Sequence, residues 1–232
     1  MSTAKRSSSI WSRPEPGGRE SRLSRAKIAA AALAIADRDG IDAVSMRNIA
    51  AELETGTMSL YHYVRTKDEI LALMDDALMG EMIVPSLPLQ WQRALMEIAR
   101  RTHMIFVRHP WALVAMRGAP PGPNAMRHFE QCLQALATTA MSDKQKLTLL
   151  AIVDDFVFGH ALRTSEMSGD IDQEFAAAQL ATGEFPRLAE VFGGGRVDPS
   201  ETRFEEGLHA ILEAAPDKAK AKPPTGKGRR VR

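Results

Sequence analysis

The sequence predicts an all-α protein with a small N-terminal three-helix domain and a larger helical C-terminal domain. Apolar side chains recur at three- and four-residue spacing in segment after segment, which is the period of an amphipathic helix. Capping boxes at Thr66 with Glu69 and at Ser142 with Gln145 mark the starts of two helices. No segment shows the alternation of a strand, and 44% apolar with only 6% aromatic residues is typical of a helical globular protein.

Composition divides the 232 residues into four parts. Residues 1–22 are rich in Ser, Arg, Pro and Gly and have no period, so we expect a disordered basic arm. The N-terminal domain spans residues 23–82, and prolines at 85 and 88 separate it from a C-terminal domain at residues 89–216. Residues 217–232 are predicted to be a disordered basic tail.

The N-terminal domain begins with a helix that Ser24 caps and that ends near Asp39, followed by Gly40 in the usual terminating position. Ser45 can cap a second helix, whose apolar positions recur at helical spacing. The turn after it contains Gly56, which we expect to take the positive φ that a sharp reversal often demands. These apolar positions are Ile28, Ala32, Ile35 and Ala36 in the first helix and Met46, Ile49, Ala50 and Leu53 in the second.

A short third helix follows the turn, and it cannot fold by itself. Small hydroxyls and flat aromatics dominate its exposed face, and such side chains suit phosphates and base edges better than a core. Its composition is therefore that of a DNA-recognition helix. The residues predicted to be exposed are Thr57, Ser59, Tyr61, His62 and Tyr63.

The helix capped at Thr66 links the two domains, and five more helical segments are predicted beyond it. They lie at residues 91–108, 111–117, about 126–140, 142–167 and 199–215, with a Pro- and Gly-rich turn at 118–123. The helix at 142–167 ends at Ser168-Gly169-Asp170, and Asp198 with Pro199 starts the last one. The 142–167 helix carries two apolar stripes, and it must therefore be buried on two sides.

Charge is unevenly distributed although the net charge is only +1. Residues 1–27 hold seven basic and two acidic side chains, and residues 217–232 hold seven and one. The remaining body carries a net charge of −10. Basic ends are attracted to a polyanion while an acidic body resists nonspecific adhesion, although for the C-terminal tail a simple solvated role is equally compatible.

Several classes of protein find no support in the sequence. No apolar run approaches the roughly 20 residues that span a bilayer, and the N-terminus lacks a signal peptide's apolar core, so we expect a cytoplasmic protein. Cys132 is the only cysteine, which excludes an intrachain disulfide. The six histidines form no metal-binding helical spacing, and no nucleophile elbow or phosphate-binding loop is present, so we expect no metal, no cofactor and no catalytic residue.

From about Leu23 to Glu81 the residue types resemble the DNA-binding domain of the TetR family of bacterial transcriptional regulators. The matching features are Asp37-Arg38-Asp39-Gly40, the two helices with their tight turn, and the Leu60-Tyr61-x-Tyr63-Val64-x-x-Lys67 run. Met58-Ser59-Leu60-Tyr61 is similar to the tetracycline-repressor branch. The family usually has Gly-Val where this chain has Glu54-Thr55. The C-terminal domain resembles the branch more loosely, through Arg108-His109-Pro110-Trp111 and Gly122-Pro123-Asn124-Ala125.

The resemblance implies a homodimeric repressor that a small-molecule effector releases from a palindromic double-stranded DNA operator. It implies a helix-turn-helix DNA-binding domain followed by a helical effector-binding and dimerisation domain, with no membrane association. The long helix and the last one would pair with their copies in a four-helix bundle, to which Leu208, Ile211 and Leu212 would contribute.

Two sets of site residues are predicted. The DNA-contact set combines the recognition helix with basic residues at neighbouring helix starts, and consists of Arg47, Thr57, Met58, Ser59, Tyr61, His62, Tyr63 and Lys67. The effector set mixes adaptable Met and Phe side chains with a few polar groups that could orient a ligand. It consists of Thr102, His103, Phe106, Met126, Phe129, Asp155, Phe156 and His160, each of which could instead simply fill the core.

Alternatives remain at two levels. A carboxylate at Asp154 or Asp155 lies among apolar neighbours and needs a partner, which Arg163, His160 or Arg100 could provide as a structural salt bridge. The same carboxylate could instead orient a ligand. At the level of function, the alternatives are a DNA-binding regulator that senses a protein partner and an all-α enzyme.

Overall fold

The computed structural model describes residues 9–16, 22–115, 120–166, 173–192 and 200–216. All regular secondary structure in these ranges is helical, as predicted. No helix in the described part of the chain has the length and apolarity to cross a membrane. The α-helices are α1 Arg25–Asp39, α2 Met46–Glu52, α3 Thr57–Tyr61, α4 Lys67–Met82, α5 Trp91–Arg108, α6 Ala112–Ala115, α7 Pro123–Ala135, α8 Asp143–Glu166, α9 Gln173–Ala181, α10 Pro186–Phe192 and α11 Ser200–Ala214.

The N-terminal domain, called the head below, packs α1 along α4, and α2 contacts both α1 and α3. The predicted caps are confirmed, because Ser24 Oγ accepts a hydrogen bond from the Lys27 N–H at 3.2 Å and Ser45 Oγ accepts one from the Asn48 N–H at 3.2 Å. Burying each aliphatic core side chain stabilises the head by roughly 1.5–3 kcal/mol. The most deeply buried are Ile28, Ile35, Ile49, Leu60, Ile70 and Met74.

The turn between α2 and α3 places its positive φ at Glu54, with φ 49°, whereas Gly56 has φ −76°. The prediction for Gly56 is therefore wrong. The reversal is closed by the Thr55 N–H, which donates to the Ala50 carbonyl at 2.9 Å, and this geometry requires the left-handed backbone one residue earlier. A left-handed backbone costs a residue with a Cβ about 1–2 kcal/mol, so Glu54 introduces strain at the position where the resembled family usually has Gly.

Part of the N-terminal arm is folded onto the head. A 3-10 turn at Ile10–Ser12 buries Ile10 to 2% exposure, and Arg13 forms a 2.6 Å salt bridge with Glu69. Glu15 accepts a hydrogen bond from the backbone N–H of Arg25 at 2.5 Å. The prediction that all of residues 1–22 are disordered is therefore wrong for residues 9–16, because a few buried contacts outweigh a composition typical of a linker.

The capping box of α4 forms in a modified way. Thr66 Oγ1 accepts a hydrogen bond from the Glu69 N–H at 3.2 Å, as predicted. The Glu69 carboxylate does not return the bond to Thr66, because it accepts from the Arg65 N–H at 2.8 Å and from Arg13 at 2.6 Å. The start of α4 is thus tied to the folded part of the arm.

Helix α4 also reaches into the C-terminal domain, called the body below, through Asp76. Asp76 Oδ1 accepts hydrogen bonds from the backbone N–H groups of Asn124 at 2.7 Å and Ala125 at 3.3 Å, and so caps α7 from a different helix. Gly122, the N-cap residue of α7, has no side chain to do this, and a Cβ there would come within 2.2 Å of Asp76 Oδ1 and 2.6 Å of a Trp11 ring atom. Glycine at 122 is therefore required by close approach.

The body core lies between α5, α8 and α11. Leu208 and Leu212 of α11 are buried within the protomer itself, at 0% and 2% exposure. Their prediction as contacts with a second subunit is therefore wrong, since they pack against the same protomer's α5 and α8 cluster. Ile211, on another side of α11, is only partly buried.

The helices of the body match the predicted ones with three differences. Helix α7 runs from Pro123 to Ala135 rather than from about 126 to 140, and α9 and α10 were not predicted. The capping box at the start of α8 is confirmed by the bonds between Ser142 and Gln145, at 2.9 and 3.4 Å. The predicted end of α8 at Ser168-Gly169-Asp170, the start of α11 at Asp198-Pro199 and the tail 217–232 lie outside the described residues.

Candidate functional site

The short helix α3 is held by one side chain and exposes most of the others. Leu60 is completely buried in the head core, whereas Met58 is 74% exposed and Tyr61 is 47% exposed. Thr57, Ser59 and His62 are exposed beside them. Five predicted contact residues thus form one accessible surface on a helix that the core fixes in place.

Tyr63 does not belong to this surface. Its side chain is only 7% exposed and packs in the head core, and its backbone N–H donates to the Leu60 carbonyl at 2.8 Å. Its prediction as an exposed DNA-contact residue is therefore wrong. It lies beyond the end of α3, where the chain turns inward before α4, so that helical spacing counted from Thr57 no longer describes its direction.

Basic residues flank the exposed face of α3. Arg47 lies in the first turn of α2 and Lys67 begins α4, and both are exposed, as predicted. Arg65, which the sequence did not single out, is exposed two residues before Lys67. Cations at the starts of α2 and α4 and in the loop between α3 and α4 are well placed to bind a phosphate backbone on either side of α3.

A cavity of about 360 Å³, open to solvent on one side, lies in the body between α4, α5, α7 and α8. Its walls are mostly apolar, and its volume is in the range of small-molecule sites. The lining residues are Met79, Leu95, Ile98, Ala99, Thr102, Ala125, His128, Phe129, Cys132, Leu147, Leu150, Ala151, Val153, Asp154 and Val157.

Only Thr102 and Phe129 of the eight predicted effector residues line this cavity. His103 and His160 instead meet each other, with Nε2 and Nδ1 2.9 Å apart, in an aromatic cluster with Phe156 and Phe204. The pKa of His103 is lowered to about 4 by burial and by His160, so this ring is neutral. This cluster lies between α5, α8 and α11. Helical spacing alone did not reveal which face of α8 meets α11, so His103, Phe156 and His160 were assigned to the effector set.

The other predicted effector residues also lie away from the cavity lining. Phe106 contacts Phe158 edge to face, and Met126 and Asp155 are exposed. His128 and Cys132 of α7, which lie one turn apart, line the cavity but were not predicted, whereas Asp154 of α8 is one of the two carboxylates considered as a ligand-orienting group. The only sequence signal for these positions was their helical spacing relative to Phe129 on α7 and Val157 on α8. That spacing did not distinguish the face that lines the cavity from the face that meets solvent.

The polar groups of the cavity wall are perturbed by burial. Burial raises the pKa of the Cys132 thiol to about 12, with Asp154 adding to the effect, so the thiol stays protonated. Burial also lowers the pKa of His128, whose Nδ1 is buried without a hydrogen-bond partner. The pKa of Asp154 is raised by burial and then by the neighbouring Asp155. The predicted partner Arg100 instead binds Glu205 through two bonds of 2.6 and 2.5 Å.

The head has a two-helix motif whose second helix is exposed and flanked by cations, and the body contains a ligand-sized cavity. This combination defines the class of one-component DNA-binding regulators. Two family models match the chain: "Bacterial regulatory proteins, tetR family" at residues 28–74 and "Tetracyclin repressor-like, C-terminal domain" at residues 84–214. The chain therefore belongs to the TetR family of transcriptional regulators, which confirms the resemblance.

Individual relatives agree with this assignment. The HTH-type transcriptional repressor DrrR1 of Streptomyces coeruleorubidus is 34% identical over 221 residues, covering 87% of this chain and 80% of the relative. The tetracycline repressor protein class E of Escherichia coli is 24% identical over 194 residues, covering 82% and 90%. Apo ActR from Streptomyces coelicolor superposes with a TM-score of 0.70 at 32% identity, covering 84% of this chain and 95% of that one. ActR in complex with actinorhodin superposes equally well, with a TM-score of 0.70.

Proposed function

We propose that this protein is a homodimeric repressor, acting in the cytoplasm without catalytic activity, that a small-molecule effector releases from a palindromic operator. The observation that carries the proposal is the double role of α4. Its first half holds Ile70 and Met74 in the head core, and its second half places Met79 at the wall of the cavity. A ligand in the cavity therefore touches a helix that also packs in the core of the head.

The comparisons support the two halves of this proposal. DrrR1 is named a transcriptional repressor, and ActR has been crystallised with actinorhodin and with (S)-DNPA. A ligand releases DNA only if it binds the released conformation more tightly than the DNA-competent one. A hundredfold shift of that equilibrium requires about 2.7 kcal/mol of differential binding.

Operator contact is proposed for the exposed residues of α3 together with Arg47 and Lys67. Replacing Met58 by Ala is expected to weaken operator binding, because an apolar contact with the base edges is lost from each protomer. The measurement is a gel shift against the DNA upstream of the protein's own gene. The matched control is Met104→Ala, which removes an equally long and similarly exposed side chain from α5 of the body.

Met104→Ala should leave operator binding unchanged, and both variants should unfold at the wild-type denaturant concentration. Tyr61→Ala should behave like Met58→Ala. Equal operator affinities for Met58→Ala and wild type would show that α3 does not contact the bases.

Effector binding is proposed for the cavity. Replacing Ala151 of α8 by Trp places an indole at the cavity wall, where it competes with the ligand for space, and is expected to raise the effector concentration needed for release by roughly tenfold or more, which corresponds to about 1.4 kcal/mol. Release is measured by fluorescence anisotropy of labelled operator, starting with actinorhodin, the ligand of the related ActR. Operator affinity without effector should not change.

The control for the cavity variant is Ala177→Trp, which adds the same indole to an exposed position on α9 outside the cavity lining. This control should respond to effector like the wild type. If Ala151→Trp and Ala177→Trp both release operator at the wild-type effector concentration, the effector site lies elsewhere.

A further inference from the structure

The cavity wall carries one formal charge. Among the described lining residues, Asp154 is the only Asp, Glu, Lys or Arg. The remaining wall is hydrocarbon and sulfur, apart from the hydroxyl of Thr102 and the imidazole of His128. A mostly apolar site with a single charged group selects ligands mainly by the charge that they bring to that group.

No positive side chain neutralises Asp154. In the described part of the chain no Lys, Arg or His forms a salt bridge with its carboxylate, and Arg100, one of the predicted candidates, is held by Glu205. Desolvation by the surrounding atoms raises the pKa of Asp154, and repulsion by the neighbouring carboxylate of Asp155 adds to the effect. Asp154 is exposed in the protomer, so its carboxylate is accessible to a ligand in the cavity, and no side chain of the cavity wall offers it a counter-charge.

The other ionisable groups of the wall do not supply that charge either. Burial lowers the pKa of His128, which favours its neutral form, and the Cys132 thiol, with its pKa raised to about 12, stays uncharged. His128 also leaves its buried Nδ1 without a hydrogen-bond partner. An anionic ligand would therefore meet a carboxylate and no cation, whereas a cationic ligand would meet its complement.

We infer that the effector is a lipophilic organic cation, with a protonated amine that pairs with Asp154 and an apolar ring system that fills the rest of the cavity. The inference rests on the proposed effector function and specifies the chemical class that the cavity takes. A volume of about 360 Å³ accommodates a body of two or three fused rings. The ammonium donates a charge-assisted hydrogen bond to the carboxylate, and the neutral histidine and thiol offer no competing charge.

A matched series of probes tests the charge preference directly. The probes are 1-naphthylmethylamine, which is an ammonium at neutral pH, 1-naphthylmethanol, which is its neutral counterpart, and 1-naphthoate, which is an anion. Binding to the full-length protein is measured by calorimetry without DNA. The ammonium is expected to bind at least roughly tenfold more tightly than the alcohol, because its hydrogen bond to the carboxylate joins two charged groups. The naphthoate is expected to bind most weakly.

Two adjacent substitutions locate the effect. Asp154→Asn keeps the shape of the side chain and is expected to abolish the preference for the ammonium over the alcohol. Asp155→Asn, which removes the same charge from an exposed residue outside the cavity lining, should keep most of that preference. Circular dichroism and operator binding without ligand should be unchanged in both variants.

The inference is overturned if the wild-type protein shows no preference for the ammonium, including the case of no measurable binding at millimolar concentration. It is equally overturned if the preference survives in Asp154→Asn. Because probe binding is measured without DNA, these outcomes are distinct from failure of the proposed repressor function. That failure would appear as absence of operator binding or of its release by any ligand.

Discussion

Replacing Leu208 by Glu is expected to unfold the protein, whereas replacing Ile152 by Glu is expected to separate the subunits of the dimer while each protomer stays folded. Leu208 is fully buried among α5, α8 and α11, and a carboxylate there would have no partner in an apolar core. Burying an unpaired charge costs several kcal/mol, which is a large part of the about 5–15 kcal/mol that stabilises a typical domain.

Ile152 differs because it points away from that core. It is 47% exposed on α8 and borders an apolar groove that Leu149, Ile211 and Ala215 also line. We propose that a second copy of the chain covers this groove, since the family's long and last helices form its dimer interface. A Glu at each copy of residue 152 would bring like charges into an apolar contact and weaken association.

The measurements are sedimentation, circular dichroism and a gel shift. Ile152→Glu should sediment as a folded monomer, and its operator affinity should fall by roughly 10²–10⁴-fold, because the second head no longer binds at high effective concentration. Leu208→Glu should lose its helical signal. Leu89→Glu, which introduces the same acid at a fully exposed site outside the groove, is the control and should remain dimeric. A dimeric Ile152→Glu protein would place the interface elsewhere.

Replacing Asp76 by Ala is expected to cost about 2–3 kcal/mol of unfolding free energy and to weaken the coupling between effector and operator. The change removes the acceptor for the Asn124 and Ala125 N–H groups and leaves both without that partner at the partly buried start of α7. Helix α7 lines the cavity and α4 carries the head, so the cap is a direct link between the two. Chemical denaturation measures the loss of stability.

Operator binding without effector should be nearly normal in Asp76→Ala, while release should require more effector. Gly122→Ala should produce a similar defect by steric means, because its Cβ would collide with the Asp76 carboxylate and with Trp11. Unchanged stability and an unchanged effector response in both variants would show that this contact does not couple the domains.

Asp75→Asn is the control for Asp76→Ala, because it removes the neighbouring carboxylate. Burial and the neighbouring Asp76 raise the pKa of Asp75 from 3.8 to about 6, so the folded state holds its proton to higher pH than the unfolded state. Its contribution to wild-type stability therefore decreases as pH rises from about 4 to about 6. Asp75→Asn should remove this pH-dependent loss and be at least as stable as the wild type at neutral pH. A loss of stability equal to that of Asp76→Ala would contradict the specific role of Asp76.

Local sequence patterns correctly predicted those features that depend only on residues close together in the sequence. The caps at Ser24, Ser45 and Ser142 were predicted correctly because a cap joins a side chain to an N–H three residues away. The exposed face of α3 was predicted well because helical periodicity within a few residues sets the direction of each side chain. Tyr63 failed because it lies beyond the last helical residue, where the period no longer sets the direction of the side chain.

The sequence by itself determined the helical class, the position of the DNA-contact motif and the family. Only the tertiary structure decided which face of each body helix met another helix. The apolar stripes of α8 and α11 predicted burial but not its partner, so Leu208 was assigned to a second subunit and His160 to the cavity. Packing of α5, α8 and α11 decided both positions, because apolar burial is non-directional and one stripe can be satisfied by several neighbours. The same packing left Asp154 at the cavity wall without a counter-charge, a relation between helices that no local pattern contains.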